Sequence, residues 1–380
     1  MFLQKVKGDG IMLEPINLIF PEDVSRLPSS ILEECCLIAG FPLDDSSADR
    51  IYNVLSGRDE SVTPEIRGQV YELVKDRIFA GRRGVTWHRL PEIEAAFDLG
   101  DVIRERYGVD PFERIIPRDP NNLDGTAKVI AACRFGNGRR YLLRYMVKLR
   151  VIKIYAPEGI RNQAIGATVS IIIDLDNRIL EIRDDPRYLS RILREVSILF
   201  SGLNRAAIMP LRIPELLEPF GGQVESLAEQ LGGRLTSTDS KPELGIENEL
   251  TAEEMTAVSN VLVAVNAFFE NNDYAALKDC LDESKAGLAS FEGIPFLAIL
   301  LAGLEKMGLS VKDVGDVRTQ PLLNALRPHL QYQGGFINFP VNEGGVAEYH
   351  TIRVGLQTNS ISFRTFASEG VIGIVRSALL

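Results

Sequence analysis

A chain of 380 residues with 45% apolar and 25% charged side chains has the composition of a globular protein large enough for two or three cores, which excludes wholesale disorder and fibrous classes. Its 42 Lys/Arg against 52 Asp/Glu give a net charge of −10. The longest apolar stretches, Ile294 to Leu301 and Val261 to Val265, fall far short of the roughly 20 residues that cross a bilayer, so no membrane partner is expected.

The first ten residues lack an apolar run followed by a small-residue cleavage site, and a cytoplasmic location is the expectation. Cys35 and Cys36 are adjacent, and Cys133 and Cys280 stand alone. That pattern is neither a disulfide framework nor a zinc spacing, so buried reduced thiols are expected.

From the N-terminus the apolar residues recur at three and four, the helical period. Thr63-Pro64-Glu65 supplies an N-cap, a proline at the first helical position and an acidic first turn, with Val70, Tyr71, Val74 and Ile78 as the stripe and Gly81 as a C-terminal cap. Helices are also expected over Ser30 to Ile38, Ala48 to Leu55 and Glu92 to Tyr107, the last broken at Gly100. Residues 1–120 thus read as a helical N-terminal domain.

After the turn-rich stretch Pro117 to Gly125 the period changes to two, so residues 121–231 read as a basic antiparallel-sheet domain with helices. Asn137-Gly138 suits a type I′ hairpin turn. A second hairpin pairs Thr168 to Ile173 with Arg178 to Arg183, and a helix opening at Pro186 carries Leu189, Ile192, Leu193 and Val196 on one side.

Residues 232–249 read as an acidic linker. Residues 250–380 read as a helical region followed by a C-terminal hairpin and short helix. Thr251 to Glu254 forms a capping box before the stripe Val258, Val261, Leu262, Val265 and Phe269. Two Gly-Gly pairs between Gln331 and Gly345 suggest a mobile loop. His350 to Leu356 and Ser360 to Phe366 flank Gln357-Thr358-Asn359, and Ser368-Glu369 starts the last helix. This repeats the strand, strand, helix order of the central domain, either as a duplication or because hairpin-plus-helix units look alike.

Charge is the informative signal. From Ala127 to Arg205 there are 15 Lys/Arg against 7 Asp/Glu, whereas from Pro214 to Thr319 there are 7 against 19. Within the strand run Arg139 to Tyr155, alternation puts Arg140, Arg144, Lys148 and Arg150 on one face and Tyr141, Leu143, Tyr145, Val147, Leu149 and Val151 on the other. One half-buried face and one face in water is the expectation. Cations on such a face recur every 7 Å or about that, on the order of the phosphate spacing of a nucleic-acid strand. Arg187, Arg191 and Arg194 form a second basic surface on the following helix. Tyr145 and Tyr155 could stack on bases if they faced outward.

No glycine-rich phosphate loop, dinucleotide fingerprint, His-Glu-x-x-His or Gly-x-Ser-x-Gly occurs. The histidines, His88, His329 and His350, are scattered, and Asp174, Asp176, Asp184 and Asp185 occupy turn and cap positions, where carboxylates serve the backbone. No cofactor or metal is implied.

The expectation is an α+β protein: a helical N-terminal domain, a central basic sheet with helices, and an acidic helical region leading to a second small sheet. It would be a non-enzymatic protein holding nucleic-acid backbone through Arg140, Arg144, Lys148, Arg150, Arg187, Arg191 and Arg194, with little sequence choice. A protein partner, or self-association through acidic residues 243–254, would complete an assembly. The alternatives are a scaffold or homo-oligomer using complementary charged surfaces, and a metal-dependent hydrolase or nuclease without a local motif.

Overall fold

The computed structural model describes residues 12–94, 97–123, 125–136, 139–156, 159–184, 188–201, 208–242, 256, 260, 263–264, 274–284, 307–310, 330–343 and 346–380. The fold class is α+β, and the chain divides into two compact units. Unit 1 comprises residues 1–219, 341–352 and 358–380; unit 2 comprises 220–340 and 353–357. No helix among the described residues is long and apolar enough to cross a membrane.

Unit 1 begins with α1 (Pro21–Ser25), α2 (Ser29–Ala39), α3 (Ser47–Ser56) and α4 (Pro64–Val74). The expected chemistry starts α4, where Thr63 Oγ1 accepts from the Ile66 amide, but α4 ends at Val74, short of the expected cap Gly81; α2 stops where Gly40 takes φ 73°. A strand not anticipated from the sequence follows, β1 (Gly84–Arg89). It pairs with strands on both sides, and Val85, Thr86, Trp87 and His88 are all buried, so it lacks the alternation that marks a half-exposed strand. The helix expected over Glu92 to Tyr107 is shorter, α5 (Leu99–Tyr107): Asp98 caps it, and Gly100 lies in its first turn rather than at a break.

Then come β2 (Lys128–Arg134), β3 (Arg140–Ala156), β4 (Gly159–Asp174), β5 (Ile179–Arg183), α6 (Leu189–Leu199), β6 (Met209–Pro210) and α7 (Ile213–Leu217). The Asn137-Gly138 turn and the helix opening at Pro186 lie outside the described residues. At the C-terminus β10 (Val346–Gly355) and β11 (Ser360–Phe363) flank the expected turn, where Asn359 takes φ 48°. Ser368 caps the final helix, Glu369–Leu379. This hairpin does not build a separate small sheet, because β11 pairs with β1 and extends the central one. The strand order in unit 1 is β2-β3-β4-β5-β1-β11-β10.

Both sides of this sheet are covered, which corrects the expectation of a face in water. Tyr141, Leu143, Tyr145 and Val147 share a core with Leu99 and Ile103 of α5 and Ile192 and Val196 of α6. On the opposite side Ala131, Cys133, Leu142 and Ile172 share a core with residues of α1 to α4. The change of period near residue 120 therefore marks the passage from a covering helical layer to the sheet inside one unit. Cys35, Cys36 and Cys133 are buried free thiols, and burial pushes those of Cys35 and Cys133 up to about 12.

In unit 2, α8 (Val224–Gln230) packs on β7 (Arg234–Pro242), which pairs antiparallel with β8 (Met307–Ser310) and with β9 (Leu330–Glu343). Residues 234–242, expected in a linker, are thus a strand, and so are residues 330–343, where a loop was expected. The glycines that suggested mobility serve close approach instead. A Cβ at Gly334 would lie 2.1 Å from the Val354 carbonyl oxygen, and one at Gly335 3.0 Å from Leu235. The acidic segment 243–254 and most of the stripe Val258 to Phe269 lie outside the described residues.

Candidate nucleic-acid interface

The basic residues singled out in the sequence separate into three environments. Arg144 is fully buried on the side of the sheet covered by α1. Its Nη2 donates to Asp23 Oδ2 at 2.6 Å and to Thr168 Oγ1 at 3.1 Å, its Nη1 donates to Ser170 Oγ, and its guanidinium lies over the rings of Phe20 and Phe79. No phosphate can reach it from solvent, which corrects its expected role. Burial tends to raise the Asp23 pKa, but Arg144 and Arg83 together outweigh that and hold the carboxyl below its ordinary value.

Arg140 is half-buried, 3.6 Å from Asp174 and over the Phe135 ring. Lys148 is half-buried as well, with Nζ 3.5 Å from the Leu123 carbonyl. Both are tied to the body of the unit. Tyr145 is fully buried, its hydroxyl 3.4 Å from that of Tyr107, so it offers no stacking surface.

Arg150 is exposed, and it does not share a face with the other three. The register shifts between Lys148↔Gly166 and Arg150↔Ile165, so Leu149 is an extra residue on β3. Side chains directly opposite in a ladder share a face. Because Gly166 and Ile165 are adjacent on β4, Arg150 is turned to the side opposite Lys148. That is the side covered by α6, and Arg191 Nη1 of α6 donates to the Lys148 carbonyl at 3.0 Å. The bulge thereby brings a strand cation and the helix cations to the same side. Arg191 and Arg194 are exposed there, and Arg187 lies outside the described residues.

Beyond the bulge β3 and β4 run on as a two-stranded ribbon. β2 accompanies β3 only between Tyr141 and Met146, and β5 accompanies β4 only between Ser170 and Asp174, whereas β3 and β4 stay paired out to Ala156↔Gly159. The eight steps from Lys148 to Ala156 make an arm roughly 25 Å long. Its base is held where the Asn121 side chain accepts from the Ala164 amide at 2.8 Å.

The arm carries exposed cations and exposed apolar side chains together. Arg150, Lys153 and Arg161 are exposed, as are Val151, Ile154, Tyr155 and Ile160. Tyr155 and Ile160 face each other across the ladder near the turn, 75% and 62% exposed.

Sequence reasoning missed Lys153 because it assumed that strict alternation continued past residue 148, and Arg161 because it began the partner strand only at Thr168, whereas β4 starts at Gly159. The available signal was the run Val151 to Tyr155, where apolar and charged residues cease to alternate, opposite the polar Arg161-Asn162-Gln163. Asp174 and Asp176 serve their turn, accepting from the Asn177 and Arg139 amides, both at 2.9 Å. No family model, no curated protein and no solved structure matches this chain.

Proposed function

We propose that this chain is a non-enzymatic nucleic-acid-binding protein that lays its β3–β4 arm along a duplex, contacting backbone rather than reading sequence. The observation that carries the reading is the arm itself: a ribbon with no third strand among the described residues, with Arg150, Lys153 and Arg161 exposed, Arg191 and Arg194 at its base and the apolar pair Tyr155/Ile160 near its end. A two-stranded ribbon fits the B-form major groove, whereas the deep, narrow major groove of A-form RNA does not admit it. Exposed apolar side chains on basic arms also wedge between base steps in the minor groove. Duplex DNA is therefore the favoured class.

Five exposed cations predict a salt slope of about −4.5, or roughly a 500-fold loss of affinity between 50 and 200 mM salt. The test is a salt series with fluorescent duplex DNA and duplex RNA, using the wild type, Arg150→Glu/Lys153→Glu and Arg144→Met. The arm variant should lose binding and flatten the slope by about 2. Arg144→Met, judged where it is folded, should bind as the wild type does. No binding at low salt, or binding unaffected by the arm variant, would refute the proposal and leave a protein partner as the occupant of the arm.

A further inference from the structure

A second basic feature lies on the side of the sheet away from α6. A cavity of about 470 Å³ is bounded by Asp23 of α1, by Gly81 to Gly84 leading into β1, by Asp184 after β5 and by Ser362 to Phe366 at the end of β11. Its charged lining is Arg26, Arg82, Arg83 and Arg364 against Asp23 and Asp184, an excess of two positive charges.

Two buried guanidiniums of this group share one hydrogen-bonded carboxylate. Arg83 donates from Nη2 to Asp23 Oδ1 at 2.7 Å while Arg144 takes the other oxygen, so one carboxylate serves two guanidiniums. The three side chains are 4%, 0% and 0% exposed. A buried cation that shares its counter-charge with another is expensive, and such a site draws an anion or lowers its pKa. Burial, reinforced by Arg144 and Arg26 and resisted by Asp23 and Asp184, lowers the Arg83 pKa to about 10. Arg83 Nη1 is buried and has no hydrogen-bond partner among the described residues. Arg26 pairs with Glu22, and Arg82 and Arg364 are exposed at the rim.

The backbone around the cavity is fixed. Gly81 and Ala367 exchange backbone hydrogen bonds at 3.0 and 3.4 Å, and the Phe363 amide donates to the Arg83 carbonyl at 3.0 Å. Arg82 and Arg83 are consecutive, one exposed and one buried, so a single strand entry supplies both a rim cation and a buried one. We infer that this cavity binds a small phosphomonoester, with the phosphate between Arg83 and the rim arginines Arg82 and Arg364. Guanidinium forks match phosphate oxygens bidentately, and several converging on one point favour a doubly charged oxyanion over chloride. The volume lies in the range of small-ligand sites and exceeds the space a bare phosphate fills, leaving room for an organic group beside Phe366.

The test is calorimetric titration at constant ionic strength with inorganic phosphate, adenosine 5′-monophosphate and adenosine. The wild type should bind the monophosphate and phosphate but not adenosine. Arg82→Glu/Arg364→Glu changes only exposed residues and should weaken the monophosphate at least tenfold. Arg83→Lys keeps a cation beside Asp23 while removing the unpaired nitrogen, and should weaken it to a similar degree. The arm variant Arg150→Glu/Lys153→Glu should bind as the wild type does. Failure of phosphate and monophosphate to bind at millimolar concentration, equal binding of adenosine, or undiminished binding in the rim variant would each overturn the assignment.

Discussion

Removing either partner of the buried Asp23–Arg144 pair should have unequal effects, because Asp23 is shared. Arg144→Met leaves Arg83 and Asp23 matched one to one at 2.7 Å; the losses are the bonds to Ser170, to Thr168 and to Asp23 Oδ2, which still accepts from the Phe20 amide at 3.0 Å. Thr168 Oγ1 keeps its bond to Glu22 at 2.9 Å, so the cost should be about 1–3 kcal/mol. Asp23→Asn leaves two buried guanidiniums on one neutral amide and should cost about 3–5 kcal/mol. The double variant retains only Arg83 and should be less destabilised than the sum of the two singles by about 1–3 kcal/mol. Urea unfolding followed by tryptophan emission is the assay. Trp87 is the only tryptophan; it is 1% exposed in the same unit and donates to Glu181 at 2.8 Å. Arg144→Met costing as much as Asp23→Asn would refute the charge accounting. Asp23 also sets an acid limit: its depressed folded pKa adds stability above the unfolded value of about 3.9, lost as pH falls through the folded pKa, and Asp23→Asn should abolish that loss.

Two further outcomes follow from burial. His88 is 1% exposed, and desolvation lowers its pKa to about 4, against a weaker raising effect of a hydrogen bond to the Leu180 backbone. Between pH 6.5 and 4 the unfolded chain takes up a proton that the folded one refuses, so stability should fall by up to about 3 kcal/mol, and His88→Phe should remove that part of the slope in urea titrations at several pH values. An unchanged slope would refute it. In unit 2, Gly334→Ala places a methyl group against the Val354 carbonyl and should cost about 3 kcal/mol or more; hydrogen exchange of residues 330–340 should quicken, and unchanged protection would refute the tight approach.

By itself the sequence determined what local chemistry controls: α2, α3 and α4 with the Thr63-Pro64 start, the turn between Ile173 and Arg178, and the C-terminal hairpin followed by a Ser368-capped helix. It also located the basic segment. Tertiary structure decided where that segment's charge points. One extra residue at Leu149 sends Arg150 to the α6 side, and a single aspartate on α1, more than 100 positions away in the chain, draws Arg144 into the interior. β1 escaped notice because a strand between two neighbours, buried on both faces, has no period to read. The double glycine at Gly334 reads as freedom in the chain but serves a strand contact too close for any side chain. A period reports how one segment meets its surroundings; what those surroundings are depends on residues that only the fold brings near.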